Sequence, residues 1–259
     1  FPEGSANLSG HVRIYQNNNG NWIQIGDDID GESGGDFSGQ SVSLSSDGSV
    51  VAIGSQYNDG AGNASGHVRI YQYANDSWTQ IGDDIDGEAA GDRSGYSVSL
   101  SDDGSVVAIG AYFNDGGGEL RGHVRIYQND NGNWTKIGDD IDGEADGDTS
   151  GGSVSLSSDG SVVAIGATNN DDSFSGSGHV RIYENVNDNW VKIGDDIDGE
   201  AQDDESGYSV SLSDDGSIVA IGARFNDGNG TGSGHVRIYQ NDNGNWTKIG
   251  DDIDGEAEQ

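Results

Sequence analysis

Acidic residues recur in glycine-rich loops along the chain, and their spacing suits divalent cations. The segment Gly-Asp-Asp-Ile-Asp-Gly-Glu occurs five times, and Asn-Asp loops stand between its copies. Closely spaced carboxylate and carbonyl oxygens are the ligands that calcium takes, so calcium is the candidate cofactor. Asp and Asn are also common turn formers, and the sequence leaves both roles open. The candidate metal ligands are Asp30, Glu32, Asp36, Asp59, Asp86, Glu88, Asp92, Asp115, Asp142, Glu144, Asp148, Asp171, Asp198, Glu200, Asp204 and Asp227.

The repeated Arg, His and Trp residues favour structural roles. Each Arg stands in the middle of His-Val-Arg-Ile-Tyr and is predicted to pair with a repeated Asp, with ligand recognition as the alternative. The His residues occur once per repeat, so they are expected to be hydrogen-bonded at strand ends rather than to converge on a metal. The Trp residues are predicted to pack between repeats, with sugar binding as the alternative. The structural candidates are Arg13, Arg69, Arg125, Arg181, Arg237, Trp22, Trp78, Trp134, Trp190 and Trp246.

These residues lie in a repeat of four predicted strands. His-Val-Arg-Ile-Tyr begins at His11 and recurs at a constant interval of 67 − 11 = 56 residues. In the unit from Ser97, an alternating strand is followed by an Asp103-Gly104 hairpin turn and the apolar run Val106–Gly110. The strand His123–Tyr127 and a fourth strand from Trp134 complete the unit. Four short antiparallel strands per repeat indicate the blade of a β-propeller.

The repeats define one all-β domain, a β-propeller of four complete blades and a half blade. We assign residues 1–259 to this domain, with the half repeat at 1–40. The sequence allows a five-bladed propeller or a fragment of a longer one. The hairpin at residues 11–30 lacks inner strands, so it is expected to pack as an incomplete blade or to associate with another chain. The full repeats are 41–96, 97–152, 153–208 and 209–259.

Composition narrows the partners and the location. The net charge of −35 argues against nucleic-acid binding, and no apolar run is long enough for membrane insertion. The chain begins at Phe1 and contains no Met, which suggests processing from a larger precursor. An extracellular or cell-surface location is expected. The candidate glycosylation sites are Asn7, Asn63, Asn75, Asn133, Asn229 and Asn245.

Residues 94–127 resemble the FG-GAP repeat, which builds the propeller at the head of integrin α chains and occurs in other extracellular proteins. The resemblance rests on Ser-Gly-Tyr-Ser-Val from residue 94, Asp-Gly from 103, Val-Ala-Ile-Gly-Ala from 107 and Gly-His-Val-Arg-Ile-Tyr from 122. It extends over nearly the whole chain. Ser-Gly replaces the family's Phe-Gly, and no Pro follows Gly-Ala. The family's Asp-X-Asp-X-Asp-Gly calcium loop is shortened, so calcium at that position is not implied.

The sequence predicts a non-catalytic adhesion or structural module that binds protein or carbohydrate at the cell surface or matrix. A multivalent lectin and a filament subunit that self-associates through the incomplete blade are the alternatives. No nucleophile motif or phosphate loop is present, so the chain is predicted not to be an enzyme and no catalytic residue is assigned. A glycosidase-type propeller is disfavoured because its two carboxylates differ between blades, whereas these acids repeat.

Overall fold

The computed structural model describes residues 7–256, and every regular element in that range is a β-strand. The first residues form half a blade, in which β1 pairs with β4 and β2 pairs with β3. Ile14 and Ile29 of this half blade pack against Val51 and Ile53 of the next blade. The predicted half blade is therefore confirmed. Its strands are β1 (His11–Val12), β2 (Tyr15–Asn18), β3 (Asn21–Gln24) and β4 (Ile29–Asp30).

Four complete blades follow, and the predicted four-stranded antiparallel sheet is confirmed in each. A short fifth strand, which the sequence did not predict, also pairs with the third strand of its blade. The first two blades are β5 (Ser41–Leu44), β6 (Val50–Ser55), β7 (His67–Ala74), β8 (Ser77–Gln80) and β9 (Ile85–Asp86), then β10 (Ser97–Leu100), β11 (Val106–Ala111), β12 (His123–Asp130), β13 (Asn133–Lys136) and β14 (Ile141–Asp142).

The last two blades repeat this order. The third full blade is β15 (Ser153–Leu156), β16 (Val162–Ala167), β17 (His179–Asn185), β18 (Trp190–Lys192) and β19 (Ile197–Asp198). The fourth is β20 (Ser206–Leu212), β21 (Ile218–Ala223), β22 (His235–Asp242), β23 (Asn245–Lys248) and β24 (Ile253–Asp254). Among residues 7–256 there is no helix that could span a membrane.

The hydrophobic core lies between neighbouring blades. The first strands of successive blades contact one another, so these strands are innermost. Val50 and Ala52 of one blade pack against Leu100 and Ile109 of the next. Burial of these apolar side chains is the main term that holds the blades together.

Hydrogen bonds between blades set the register of this packing. Ser97 Oγ donates to the carbonyl of Gly151 at 2.8 Å, and Trp134 Nε1 donates to the carbonyl of Ile81 at 2.9 Å. The predicted two-residue turn at Asp103-Gly104 is a longer connection, since β10 ends at Leu100 and β11 begins at Val106. Asp103 accepts hydrogen bonds from Ser101 Oγ and Ser105 N in this connection. The Asp103 carboxylate therefore stabilises the conformation of its own loop.

Candidate functional site

Each of the four interfaces that precede a complete blade holds a histidine and at least two carboxylates. The histidine begins the third strand, an Asp precedes the short fifth strand, and a Glu comes from the preceding blade. In each cluster, one candidate ligand atom of every residue lies within 4.8 Å of the others. Residues of these types at this separation could hold a metal ion. The clusters are Glu32–His67–Asp84, Glu88–His123–Asp140, Glu144–Asp172–His179–Asp196 and Glu200–His235–Asp252.

The short fifth strands bring the acids to the histidines. β14 pairs with β12 so that Asp142 lies opposite His123. Asp140 precedes this pairing, and its Oδ2 lies 3.9 Å from Nδ1 of His123. Glu144 follows it and reaches the next blade, where its Oε1 lies 3.4 Å from Nη1 of Arg181. The chain around one short strand thus supplies acids to two successive clusters.

The clustered imidazoles are buried, and burial favours the neutral form of three of them. Burial, reinforced by Arg125, lowers the pKa of His123 to about 4. Burial also lowers the pKa of His67 and of His179. Neither ring nitrogen of His179 has a hydrogen-bond partner among residues 7–256. A neutral imidazole with a free lone pair beside carboxylates meets the requirement for binding a metal.

Nearby cations divide the clusters into two groups by charge. Each Glu lies 3.3–3.7 Å from the Arg of the adjacent blade. The Asp also pairs with a Lys in the second, third and fourth clusters, whereas Gln80 donates to Asp84 in the first. The third cluster has the additional Asp172. When the carboxylates are counted against these Arg and Lys residues, with the histidines left out, the clusters carry −2 + 1 = −1, −2 + 2 = 0, −3 + 2 = −1 and −2 + 2 = 0 in chain order. The first and third therefore attract a cation most strongly.

The acids that the sequence singled out as metal ligands occupy three different environments. Only the Glu residues Glu32, Glu88, Glu144 and Glu200 enter the clusters. The carboxylate of Asp92 is buried and accepts bonds from Ala89 N and Asn114 Nδ2, and Asp36 and Asp204 have equivalent partners. Asp148 is likewise buried and accepts from two backbone amides.

The remaining acids of that set lie in loops or on the short strands. The carboxylates of Asp59, Asp115, Asp171 and Asp227 accept amide protons of their own loops. Asp30, Asp86, Asp142 and Asp198 lie on the short strands, and their carbonyls accept from Arg residues of the next blade. The loop acids therefore act as turn formers, and the acids on the short strands take part in contacts between blades.

Four of the five repeated Arg residues and four of the five repeated Trp residues connect neighbouring blades. Arg125 Nη2 donates to the carbonyl of Asp86 at 2.7 Å, and Nη1 lies 3.7 Å from Glu88. Its ionic partner is thus a Glu rather than the predicted Asp carboxylate. Arg13 alone of the five pairs with an Asp carboxylate, that of Asp28 at 2.8 Å. Trp78, Trp134, Trp190 and Trp246 each donate to a carbonyl of the preceding blade. Trp22 of the half blade is 68% exposed. All six candidate glycosylation sites are exposed.

Some positions differ between blades, and they gather where the innermost strands begin. In the second full blade Arg93 Nη1 donates to the hydroxyl of Tyr112 at 2.6 Å. The equivalent pair in the third is Thr149 with Thr168, at 3.4 Å, and in the fourth it is Glu205 with Arg224, at 2.6 Å. Reasoning from the repeated residues missed this group. These positions could have been found from the sequence, because their residue types differ between the repeats.

Comparisons with known proteins identify the repeat and the fold. Residues 85–127 and 196–239 match the family model of the FG-GAP repeat, so the predicted resemblance is confirmed over these residues. No curated protein matches the sequence. A protein described as a candidate 6-phosphogluconolactonase from Bacteroides uniformis shares the fold with a TM-score of 0.50 at 12% identity, over 98% of this chain and 80% of its own. The periplasmic gluconolactonase PpgL of Pseudomonas aeruginosa also shares the fold, with a TM-score of 0.62 at 15% identity, over 98% of this chain and 66% of the PpgL chain.

These structures contradict two predictions from the sequence. Both similar proteins are described as lactonases, so the predictions of a non-catalytic adhesion or structural module and of a chain that is not an enzyme are wrong. That analysis took the sameness of the repeated acids as a sign against catalysis. At 12–15% identity the likeness shows the fold alone.

Proposed function

We propose that this chain binds divalent transition-metal ions of the zinc type at the interfaces between its blades. The observation that carries the proposal is the repeated meeting of one buried histidine with carboxylates of two neighbouring blades. Imidazole suits zinc and similar ions, whereas calcium and magnesium prefer oxygen ligands alone. Since each ion would join two blades, binding should also stabilise the fold.

Calcium is the alternative ion, as the acidic loops predicted. It would use the carboxylates of the same clusters, because several other loop carboxylates already accept hydrogen bonds from their own loops or neighbouring side chains. Calcium takes six to eight oxygens, more than the carboxylates of one cluster supply without water. The choice between calcium and zinc therefore rests on whether the histidine contributes.

Calorimetric titration of the chelator-treated chain at fixed ionic strength tests this proposal. Zinc is expected to bind more tightly than calcium or magnesium, and to fill the first and third clusters before the others because of their charge. His179→Gln should remove one of the two tightest sites. Because burial keeps the pKa of the imidazole below its usual range, zinc binding should persist below pH 6.

Gln80→Lys is the matched control, since it gives the first cluster the Lys that the other three already have. This variant should weaken zinc binding at the first cluster and leave the third unchanged. Calcium binding that is tighter than zinc binding and insensitive to His179→Gln would support the alternative ion. Absence of binding by any of the three ions would contradict both assignments.

Hydrolysis of lactones is a second candidate function, and the names of the two similar structures favour it. Glu144 and Asp172 are exposed, so an ion held there would have room for water or a substrate oxygen. A metal ion lowers the pKa of bound water and polarises a carbonyl. Glucono-δ-lactone is the probe, followed by base consumption at constant pH against the uncatalysed rate. Hydrolysis that requires added zinc and falls at least about tenfold in His179→Gln would support the proposal. A rate equal to the uncatalysed one with zinc bound would refute this activity and leave metal binding intact.

A further inference from the structure

Arg93 is an unpaired cation in a chain rich in acids. The sequence has 46 Asp and Glu residues against 11 Lys and Arg. Within residues 7–256, ten of these cations lie within 4.0 Å of a carboxylate and Arg93 does not. Although acids are abundant in this protein, the guanidinium of Arg93 therefore lies apart from the described carboxylates. The ten paired cations are Arg13, Arg69, Arg121, Arg125, Lys136, Arg181, Lys192, Arg224, Arg237 and Lys248.

Aromatic rings hold Arg93 in place of an acid. The guanidinium carbon lies 4.3 Å from the ring centre of Phe113, 5.0 Å from that of Tyr57 and 5.8 Å from that of Tyr112. Cation–π contacts at these distances stabilise the charge without neutralising it. Among the described residues 7–256, Nη1 alone of the Arg93 donors has a side-chain hydrogen bond, to the Tyr112 hydroxyl. The other donors of the fork are free to meet an anion.

In the fourth blade, the arginine in the corresponding region already has a carboxylate partner. Arg224 stacks on Phe225 and Tyr208 at 4.5 and 4.2 Å, and Glu205 neutralises it. Glu205 occupies the position equivalent to Arg93, and both residues have positive φ values, 52° and 56°. The equivalent residues Phe37 and Thr149 share this backbone conformation, with φ values of 54° and 56°, so it belongs to the repeat. The second blade thus differs from the fourth in lacking the internal carboxylate.

Tyr96 adds a further aromatic ring beside Arg93. Tyr96 stacks on Tyr112 with ring centres 4.1 Å apart. Burial raises the pKa of Tyr96, and Tyr112 and Tyr208 raise it further. Arg224 and Arg93 lower the pKa of the same hydroxyl.

We propose that Arg93 and the rings of Tyr57, Tyr96, Tyr112 and Phe113 form a binding site for a small organic carboxylate. The carboxylate neutralises Arg93 as Glu205 neutralises Arg224, and it accepts hydrogen bonds from the free donors of Arg93. The organic part of the ligand lies against the aromatic rings. This site shares no residue with the interblade clusters, so it requires no metal.

Calorimetric titration in the presence of a chelator tests the site, with gluconate, benzoate and inorganic phosphate as probes. At least one carboxylate is expected to bind, and more tightly than phosphate. Preference for gluconate would indicate a polyol acid, and preference for benzoate an aromatic acid. Arg93→Gln should weaken that binding by about tenfold to a hundredfold, since it removes a charge-assisted hydrogen bond.

Tyr112→Glu is a second variant that keeps the cation and supplies an internal partner, as in the fourth blade. It should abolish carboxylate binding while the melting temperature stays close to that of the parent chain. Arg13→Gln, in the half blade, should leave binding unchanged. Tighter binding of phosphate than of both carboxylates, no binding of either carboxylate, or unchanged affinity in Arg93→Gln would overturn the proposal.

Discussion

Replacing Gly110 by alanine is expected to destabilise the protein by about 3 kcal/mol, because the new methyl group has no space between two blades. A Cβ atom at Gly110 would lie well inside van der Waals distance of the carbonyl oxygen of Gly151 and of Ser97 Oγ. These two groups also form the hydrogen bond that joins the blades. Denaturant unfolding measures the loss as a shift in the transition midpoint.

Gly222→Ala is the matched control in the last blade. Gly222 occupies the same position as Gly110, but its closest neighbour is the hydroxyl of Ser209 at 2.5 Å, and no backbone of another blade lies near it. A hydroxyl can rotate away, whereas the carbonyl of a packed strand cannot. Gly222→Ala should therefore cost much less. Equal costs at the two positions would show that contact between blades is not what excludes a side chain at Gly110.

The strands could be predicted because their signals are local. The apolar run from Val106 predicted a strand to Gly110, and β11 ends one residue later, at Ala111. The third strand was predicted to end at Tyr127 but continues to Asp130, where it pairs with Asn133. The short strand at Ile141–Asp142 was missed. Its Asp-rich sequence disfavours a strand, and only pairing with β12 fixes it.

The candidate sites could be predicted only in part, because residues of the same type have different partners in three dimensions. Glu88 and Asp92 stand in one loop, yet Glu88 lies in a cluster with His123 whereas Asp92 is buried with Asn114. The histidines were interpreted as isolated, since one occurs in each repeat. Packing of adjacent blades supplies the acids that complete each cluster. Arg93 carries no motif, and its significance appears only when its partners are compared with those of Arg224.

Arg125→Ala is expected to cost about 2–3 kcal/mol, because Arg125 is buried and links two blades. Its side chain is 6% exposed, and its Nη2 donates to the carbonyl of Asp86 at 2.7 Å. Removing the guanidinium leaves this carbonyl without its charged donor and opens a cavity beside Tyr127. Glu88 is 44% exposed, so it can be solvated after the change. The measurement is equilibrium unfolding of the variant at pH 7.

Arg13→Ala provides the comparison, since Arg13 occupies the same motif position in the half blade. Its side chain is 42% exposed and pairs with Asp28 of the same hairpin. Water and salt screen such a pair, so its loss should matter far less than the loss of Arg125. Arg125→Lys should recover little of the stability, because an ammonium cannot place two donors on the carbonyl and on Glu88 as the planar fork does. If Arg125→Ala and Arg13→Ala shift the unfolding midpoint equally, the repeated arginines do not stabilise the contact between blades.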